Sequence, residues 1–159
     1  MKLTAQDVMT TDVITVSPDT RVDEAAAELV QHCISGLPVL DASGNVVGII
    51  SDIDVIGKEG RSAGEIMTRQ VVTVSPDTGL DEVGYLLKRF RLLPVVQAGR
   101  LAGLVSRTDL LKRIAQRWTC VVCGAQQYGA VAPERCTECG AAGKNFSLED
   151  EPPMMYRDM

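Results

Sequence analysis

Gly48-Ile49-Ile50-Ser51-Asp52-Ile53-Asp54 occurs a second time, as Gly103-Leu104-Val105-Ser106-Arg107-Thr108-Asp109. More matches surround the pair, in the same order. Val8-Met9-Thr10 returns as Ile66-Met67-Thr68, and Val13 through Thr20 returns as Val71 through Thr78, ending both times in Ser-Pro-Asp-Thr. Leu37-Pro38-Val39-Leu40 returns as Leu93-Pro94-Val95-Val96. The offset is 58 at the start and 55 at the end, so the second copy is three residues shorter. The chain is an internal repeat up to about residue 116.

Each copy carries the same local signals. The β-branched runs at 13–16 and 71–74 read as strands. Ser-Pro-Asp-Thr is expected to turn the chain and cap the next helix with its side-chain oxygens. Val22, Ala25, Ala26 and Leu29, and Leu80, Val83, Leu86, Leu87 and Phe90, have helical spacing. Strands follow at 37–40 with 46–50 and at 93–96 with 101–105, joined by turns at 41–45 and 97–100. A last helix starts after Ser51 and after Ser106. The unit is β-α-β-β-α, and one copy alone would expose the apolar face of its sheet, so two should pack together.

Composition divides the chain in another way. Of 159 residues, 4% are aromatic, and Trp118, Tyr128, Phe146 and Tyr156 all follow residue 117. Four of the five cysteines do too. The net charge of -5 argues against nonspecific nucleic-acid binding. No apolar run approaches the ~20 residues of a membrane span. The start of the chain lacks the pattern of a secretory signal. A cytoplasmic protein with reduced cysteines is therefore expected, which favours a metal site over disulfides.

Each repeat resembles a cystathionine-β-synthase (CBS) domain, and the pair resembles a Bateman module. Met-Thr before the first strand, Leu-Pro-Val, and Gly-x-x-Ser-x-x-Asp entering the last helix carry the likeness. The expected fold class is α/β, with two repeats, 1–65 and 66–116, packed as a pseudo-twofold pair. A small β metal domain at 117–148 and an acidic tail at 149–159 follow. The resemblance also implies a homodimer through the CBS helices.

It further implies adenine-nucleotide binding, with Ser at the phosphate and Asp at the ribose. A plainer reading makes Ser51 and Ser106 helix caps, with a solvated acid one turn on. In the family each cleft draws on both repeats. Cleft A would combine Thr15, Ile34, Ser35, Gly36 and Pro38 with Ser106, Arg107 and Asp109. Cleft B would combine Thr73, Leu92, Leu93 and Pro94 with Ser51, Asp52 and Asp54. AMP, ADP, ATP, NAD and S-adenosylmethionine all fit this pattern. Residues 1–65 hold 4 basic and 11 acidic residues, whereas 66–116 hold 8 basic and 4 acidic. Arg107 suits a phosphate in cleft A, while Asp52 would repel one in cleft B, where Lys88, Arg89 and Arg91 offer partial compensation or, more plainly, form a solvated helix face. Cleft A is thus the expected tighter site. His32 and Cys33 are helical neighbours, which do not face each other, so they are not expected to form a catalytic pair.

Cys120-x2-Cys123-x12-Cys136-x2-Cys139 has the spacing of a four-sulfur site for zinc or a single iron. Gly124 and Gly140 follow the two knuckles, where a tight turn needs a permissive backbone. Together with Trp118, Tyr128, Ala132-Pro133-Glu134-Arg135 and Phe146, the segment resembles the rubredoxin-like tail of rubrerythrins, a zinc-ribbon relative. That likeness implies aromatic packing beside the metal and, with iron, electron transfer. No Glu-x-x-His motif accompanies it, so peroxidase chemistry is not expected. Only Arg135 lies between the knuckles, a poor nucleic-acid surface. The expectation is a non-catalytic regulatory protein: a nucleotide-sensing pair joined by a short helix end to a metal-bearing head, signalling to an unidentified protein partner. Iron-based electron transfer regulated by the pair is the alternative.

Overall fold

The computed structural model describes residues 2–149. In it the runs at 13–16 and 71–74 shrink from strands to single parallel bridges, Val16 with Val39 and Val74 with Val95. Proline is the reason. Val16 donates to the Pro38 carbonyl and accepts from Leu40. Extending that ladder in either direction would need an N–H from Pro38 or Pro18, and neither has one. Pro94 and Pro76 impose the same limit on the second repeat, where Val74 donates to Pro94 and accepts from Val96.

The first repeat continues with α1 (Val22–Gln31), β1 (Gly36–Leu40), β2 (Val46–Ser51) and α2 (Asp52–Gly57). The second has a short α3 (Ala63–Ile66), then α4 (Leu80–Leu86), β3 (Leu92–Gln97), β4 (Arg100–Ser106) and α5 (Arg107–Ile114). Both hairpins are antiparallel, with Leu37 opposite Ile50 and Leu93 opposite Val105. Ser-Pro-Asp-Thr turns the chain as expected but does not cap the helices. Thr20 Oγ1 accepts from the Ser17 N–H at 3.1 Å, which closes the turn on itself. The cap positions fall later, at Arg21 and Gly79.

The two repeats exchange their leading segments. Met9-Thr10, from the first, lies on the hairpin of the second, where Thr10 and Leu104 trade two backbone hydrogen bonds of 2.9 Å. Thr68 and Ile49 trade the corresponding bonds at 2.8 and 3.0 Å. Ala5 likewise donates to Thr78 and Ala63 to Thr20. The core around Leu37, Val39 and Ile50 therefore includes Ala63, Ile66 and Met67 from the following repeat. Aliphatic side chains alone fill it, which explains the scarcity of aromatic residues before residue 117.

Glycines make room for the exchange. A Cβ on Gly48 would stand 2.4 Å from Met67 Sδ and 3.0 Å from Met67 Cβ. Overpacking of this kind should lower the stability of Gly48→Ala by ~1–3 kcal/mol. A lower urea midpoint at unchanged slope would report it; an unchanged midpoint would contradict the packing of Met67 on this hairpin.

The chain forms two compact units, Met1–Arg107 and Thr108–Met159. The second holds a three-stranded antiparallel sheet in which β5 (Arg117–Cys120) lies between β6 (Gln126–Tyr128) and β7 (Phe146–Leu148). Trp118 sits opposite both Gln127 and Leu148, and its Nε1 donates to the Gly129 carbonyl at 2.9 Å. Glu149, where the acidic tail was expected to start, receives the Thr119 hydroxyl and pairs with Arg117. The rest of that tail, read from the sequence as a flexible segment with docking of Met154, Met155 and Tyr156 on a partner as the alternative, lies outside the described residues. No helix among the described residues is long and apolar enough to cross a membrane.

Candidate functional site

Asp54 is the one charged residue buried among the described residues, at 6% exposure. It is one turn into α2, and its carboxylate ties three segments together. Oδ2 accepts the Ser51 N–H at 2.8 Å and the Ser51 hydroxyl at 3.0 Å. Oδ1 accepts from Lys58 Nζ at 2.6 Å and from Thr68 Oγ1 at 3.4 Å. Lys58 also donates to the Ile66 carbonyl at 3.0 Å. Burial pushes the Asp54 carboxyl upward, but the Lys58 and Ser51 donors outweigh it and hold the group below its ordinary value.

A cavity of about 200 Å³ opens beside this network. Ser51, Asp54 and Ile49 come from the first repeat; Thr68, Gln70, Val71, Val72, Arg89, Phe90, Arg91 and Leu92 come from the second. The cavity draws on both repeats and lies where cleft B was expected. Its rim carries an ion pair between repeats: Arg91 Nη1 stands 2.6 Å from Asp52 Oδ1.

The expected residues divide clearly. Ser51, Asp54 and Leu92 line the cavity. Leu93 and Pro94 are fully buried in the core and Thr73 is exposed, and none of the three is in the lining. On the side of cleft A, Pro38 is fully buried. Gly36 abuts Leu92, with its Cβ position 2.2 Å from Leu92 Cδ1. Ile34 is half-buried, and exposed Ser35 accepts the Asp52 N–H through its carbonyl at 3.3 Å. Thr15 lines a separate open depression beside Glu24, Glu28 and Asp41. The Arg107 guanidinium, expected at a phosphate, donates to the carbonyls of Leu87 at 2.7 Å and Lys88 at 3.4 Å. Ser106 closes β4, and Asp109 lies on α5 within the second unit.

Thr68, Gln70, Val71, Val72 and Phe90 were missed as lining residues in the sequence, whereas Arg89 and Arg91 were named there as compensating charges for cleft B. A signal for Thr68 was present, because Met-Thr repeats as faithfully as Ser-x-x-Asp. His32 and Cys33 each have a separate contact. His32 Nε2 is 3.1 Å from Glu28, and Cys33 Sγ lies 3.7 Å from the Val30 carbonyl.

The four late cysteines do converge. Their sulfurs all lie within 4.8 Å of one another, with Cys120–Cys139 at 3.7 Å and Cys123–Cys136 at 3.6 Å. A tetrahedral site with ~2.3 Å zinc–sulfur bonds needs sulfurs about 3.8 Å apart, so the set fits a metal ion. The knuckles match bond for bond. Gly124 donates to Cys120 and Gly140 to Cys136, while the N–H groups of Cys120 and Cys136 reach Ala125 and Ala141. Gly124 and Gly140 take φ of +78° and +73°, where a side chain would be strained. The Cys139 N–H helps to lower the Cys136 thiol to about 7. The Ala125 N–H pulls Cys123 down, yet the crowded sulfurs push it up to about 12. Cys123 and Cys139 reach the surface, between exposed Val121 and Val122 on one knuckle and exposed Glu138 on the other. Tyr128, expected to pack beside the metal, is 69% exposed.

Comparison with known proteins agrees with the tandem repeat read up to about residue 116. The CBS domain model matches residues 5–59 and 63–116. An inosine-5'-monophosphate dehydrogenase of Methanocaldococcus jannaschii is 39% identical over 114 residues, covering 69% of this chain but 23% of the enzyme. The chain thus spans about a quarter of the dehydrogenases it matches, and only their CBS region is shared. The CBS domain-containing protein YhcV of Bacillus subtilis is 32% identical, over 66% of this chain and 81% of its own. An uncharacterized 17.7 kDa protein of Acidianus ambivalens is 30% identical over 154 residues, 88% of this chain and 90% of that one. Among solved structures, CBSX2 of Arabidopsis thaliana in complex with AMP superposes with a TM-score of 0.65 at 33% identity, over 69% of this chain and 93% of that one. The CBS pair of protein MJ0100 in complex with 5'-methylthioadenosine and S-adenosyl-L-methionine gives 0.66 at 30% identity, over 70% and 95%. With both repeats matched in full and the interlocked fold shared, the chain belongs to the CBS-domain family, as a tandem pair followed by a four-cysteine unit.

Proposed function

We propose that this chain is a non-catalytic regulatory sensor that holds an adenosyl ligand in cleft B and one metal ion on its four cysteines. The cavity shared by both repeats beside the Ser51–Asp54 network is the observation that carries the reading. Asp54 has two oxygens already aligned by four donors. Ribose hydroxyls can replace the Ser51 and Thr68 hydroxyls there, exchanging one hydrogen bond for another. Phe90, Val72 and Ile49 offer apolar contact to a purine, and Arg89 and Arg91 lie on the phosphate side. AMP bound to CBSX2 and the adenosyl compounds bound to MJ0100 support this ligand class.

A ligand touching both repeats favours the arrangement of the pair that it fits best. It signals only through that difference in affinity. A homodimer is part of the reading: Ile53 and Ile56 on α2 are 62% and 87% exposed, an apolar face suited to a second copy. Zinc is the proposed metal, with a structural role. The exposure of Cys123 and Cys139 favours a second reading, in which iron exchanges electrons through those sulfurs.

Native mass spectrometry on the full chain tests ligand, metal and copy number together. Two chains, one metal ion per chain and retained adenosyl mass are expected. In parallel, AMP at 100 times its dissociation constant should add ~2.7 kcal/mol to stability. A melting temperature indifferent to AMP, S-adenosylmethionine and 5'-methylthioadenosine would refute the sensor. Red colour from the native host would shift the metal to iron.

A further inference from the structure

The ion pair at the rim of cleft B joins groups 39 residues apart, one from each repeat. Arg91 lines the cavity, and its guanidinium and the Asp52 carboxylate are each about half exposed, at 46% and 50%. Asp52 Oδ1 also accepts the Ile53 N–H at 2.8 Å, which fixes the carboxylate in place. The Asp52 N–H donates to Ser35, so this short stretch is anchored on both sides.

The balance of charge around the cavity is uneven. Lys58 is committed to Asp54 and Arg91 to Asp52. Arg89 also lines the cavity, yet it has no carboxylate partner among the described residues; its guanidinium lies 5.8 Å from the Phe90 ring. One positive charge is thus unmatched, and a second is held by a carboxylate that water already reaches. A half-exposed pair of this kind is weak, so a better acceptor can displace Asp52. A phosphate is that acceptor, because a guanidinium donates to two of its oxygens at once.

We propose that Arg91 is the charge-selecting residue of cleft B and that Asp52 is its built-in competitor, so that the site favours phosphate-bearing adenosyl ligands over neutral or cationic ones. A phosphate takes Arg91 from Asp52, which opens the latch between the repeats. A ligand without an anionic group leaves the latch closed. The sulfonium of S-adenosylmethionine is repelled by Arg89 and Arg91, and its carboxylate brings one negative charge where a phosphate brings close to two. This inference rests on cleft B being the adenosyl site, and the probes separate the two claims.

The experiment is calorimetry on the full chain with AMP, adenosine and S-adenosylmethionine. Asp52→Asn should tighten AMP about three- to tenfold, since Arg91 is freed and a repulsion removed. Adenosine affinity should change less than about twofold. Arg91→Gln should weaken AMP at least about tenfold while adenosine binding holds. That retention also shows the variant is folded. With Arg91→Gln in place, adding Asp52→Asn should leave little of its gain. If wild type binds adenosine but Asp52→Asn moves AMP and adenosine alike, the selector is overturned and the sensor stands. A full Asp52→Asn gain without Arg91 overturns the latch, because Asp52 then acts by repulsion alone. If no probe binds wild type, the sensor itself fails and the selector with it.

Discussion

Stripping the metal from the four-cysteine unit is expected to unfold that unit and leave the CBS pair folded. Among residues 117–149, only Cys120 and Cys136 are buried. The sheet of β5, β6 and β7 thus encloses sulfur rather than a hydrophobic core. Segments this small need another source of stability, and structural zinc supplies ~10–16 kcal/mol in comparable peptides. A strong chelator, or Cys136→Ser, should therefore abolish the protected environment of Trp118 and expose the remaining thiols to reagent. The pair has its own aliphatic core and should keep its unfolding transition. Trp118 fluorescence and thiol titration read the first effect, and urea unfolding followed by circular dichroism reads the second. A chelated protein with unchanged Trp118 emission would contradict the metal's structural role.

The second large effect belongs to Asp54. Asp54→Ala removes the acceptor for Ser51 N–H, Ser51 Oγ, Thr68 Oγ1 and Lys58 at once. Orphaned donors cost ~1–3 kcal/mol each when buried. Ser51 and Lys58 keep some access to water, so the expected loss is about 2–4 kcal/mol. Acid should mimic part of it. The folded-state carboxyl lies below its ordinary value, 3.8. Its contribution is therefore complete well above that value and is lost as pH falls through the depressed folded value. Urea midpoints from pH 7 downward should drop more steeply near pH 4 and below in wild type than in Asp54→Asn. Parallel curves would contradict the assignment.

Much of this could be read in the sequence, and the exceptions have physical causes. The repeat, both hairpins and the helix after each Ser-x-x-Asp motif follow from local pattern. The strands at 13–16 and 71–74 do not, because the prolines that truncate them act from a neighbouring segment as well as from their own. The exchange of leading segments is a long-range event that Met9 and Met67 do not announce. Within the cavity, Ser51, Asp54 and Leu92 were legible as parts of a motif. Arg89 and Arg91 were legible as charges for cleft B or as a solvated helix face, with nothing in the sequence to decide between the two, and Phe90 was not legible, since helical spacing assigned it to the core of α4. The sequence also favoured cleft A through Arg107 and counted Asp52 against cleft B. Arg107 instead satisfies two carbonyls at the end of α4, and Asp52 is neutralised by Arg91. Both facts depend on which chain segments meet. By contrast, the cysteines converge as their spacing required.

Titration calorimetry of AMP into the full chain, comparing wild type with Asp54→Asn and Asp109→Asn, tests the central claim most directly. Asp54 belongs to the cavity between the repeats, and Asp109 is its counterpart in the other half. Binding in wild type, abolished by Asp54→Asn and retained by Asp109→Asn, is the predicted result. No binding in wild type, or binding abolished by Asp109→Asn and untouched by Asp54→Asn, would contradict cleft B as the adenosyl site.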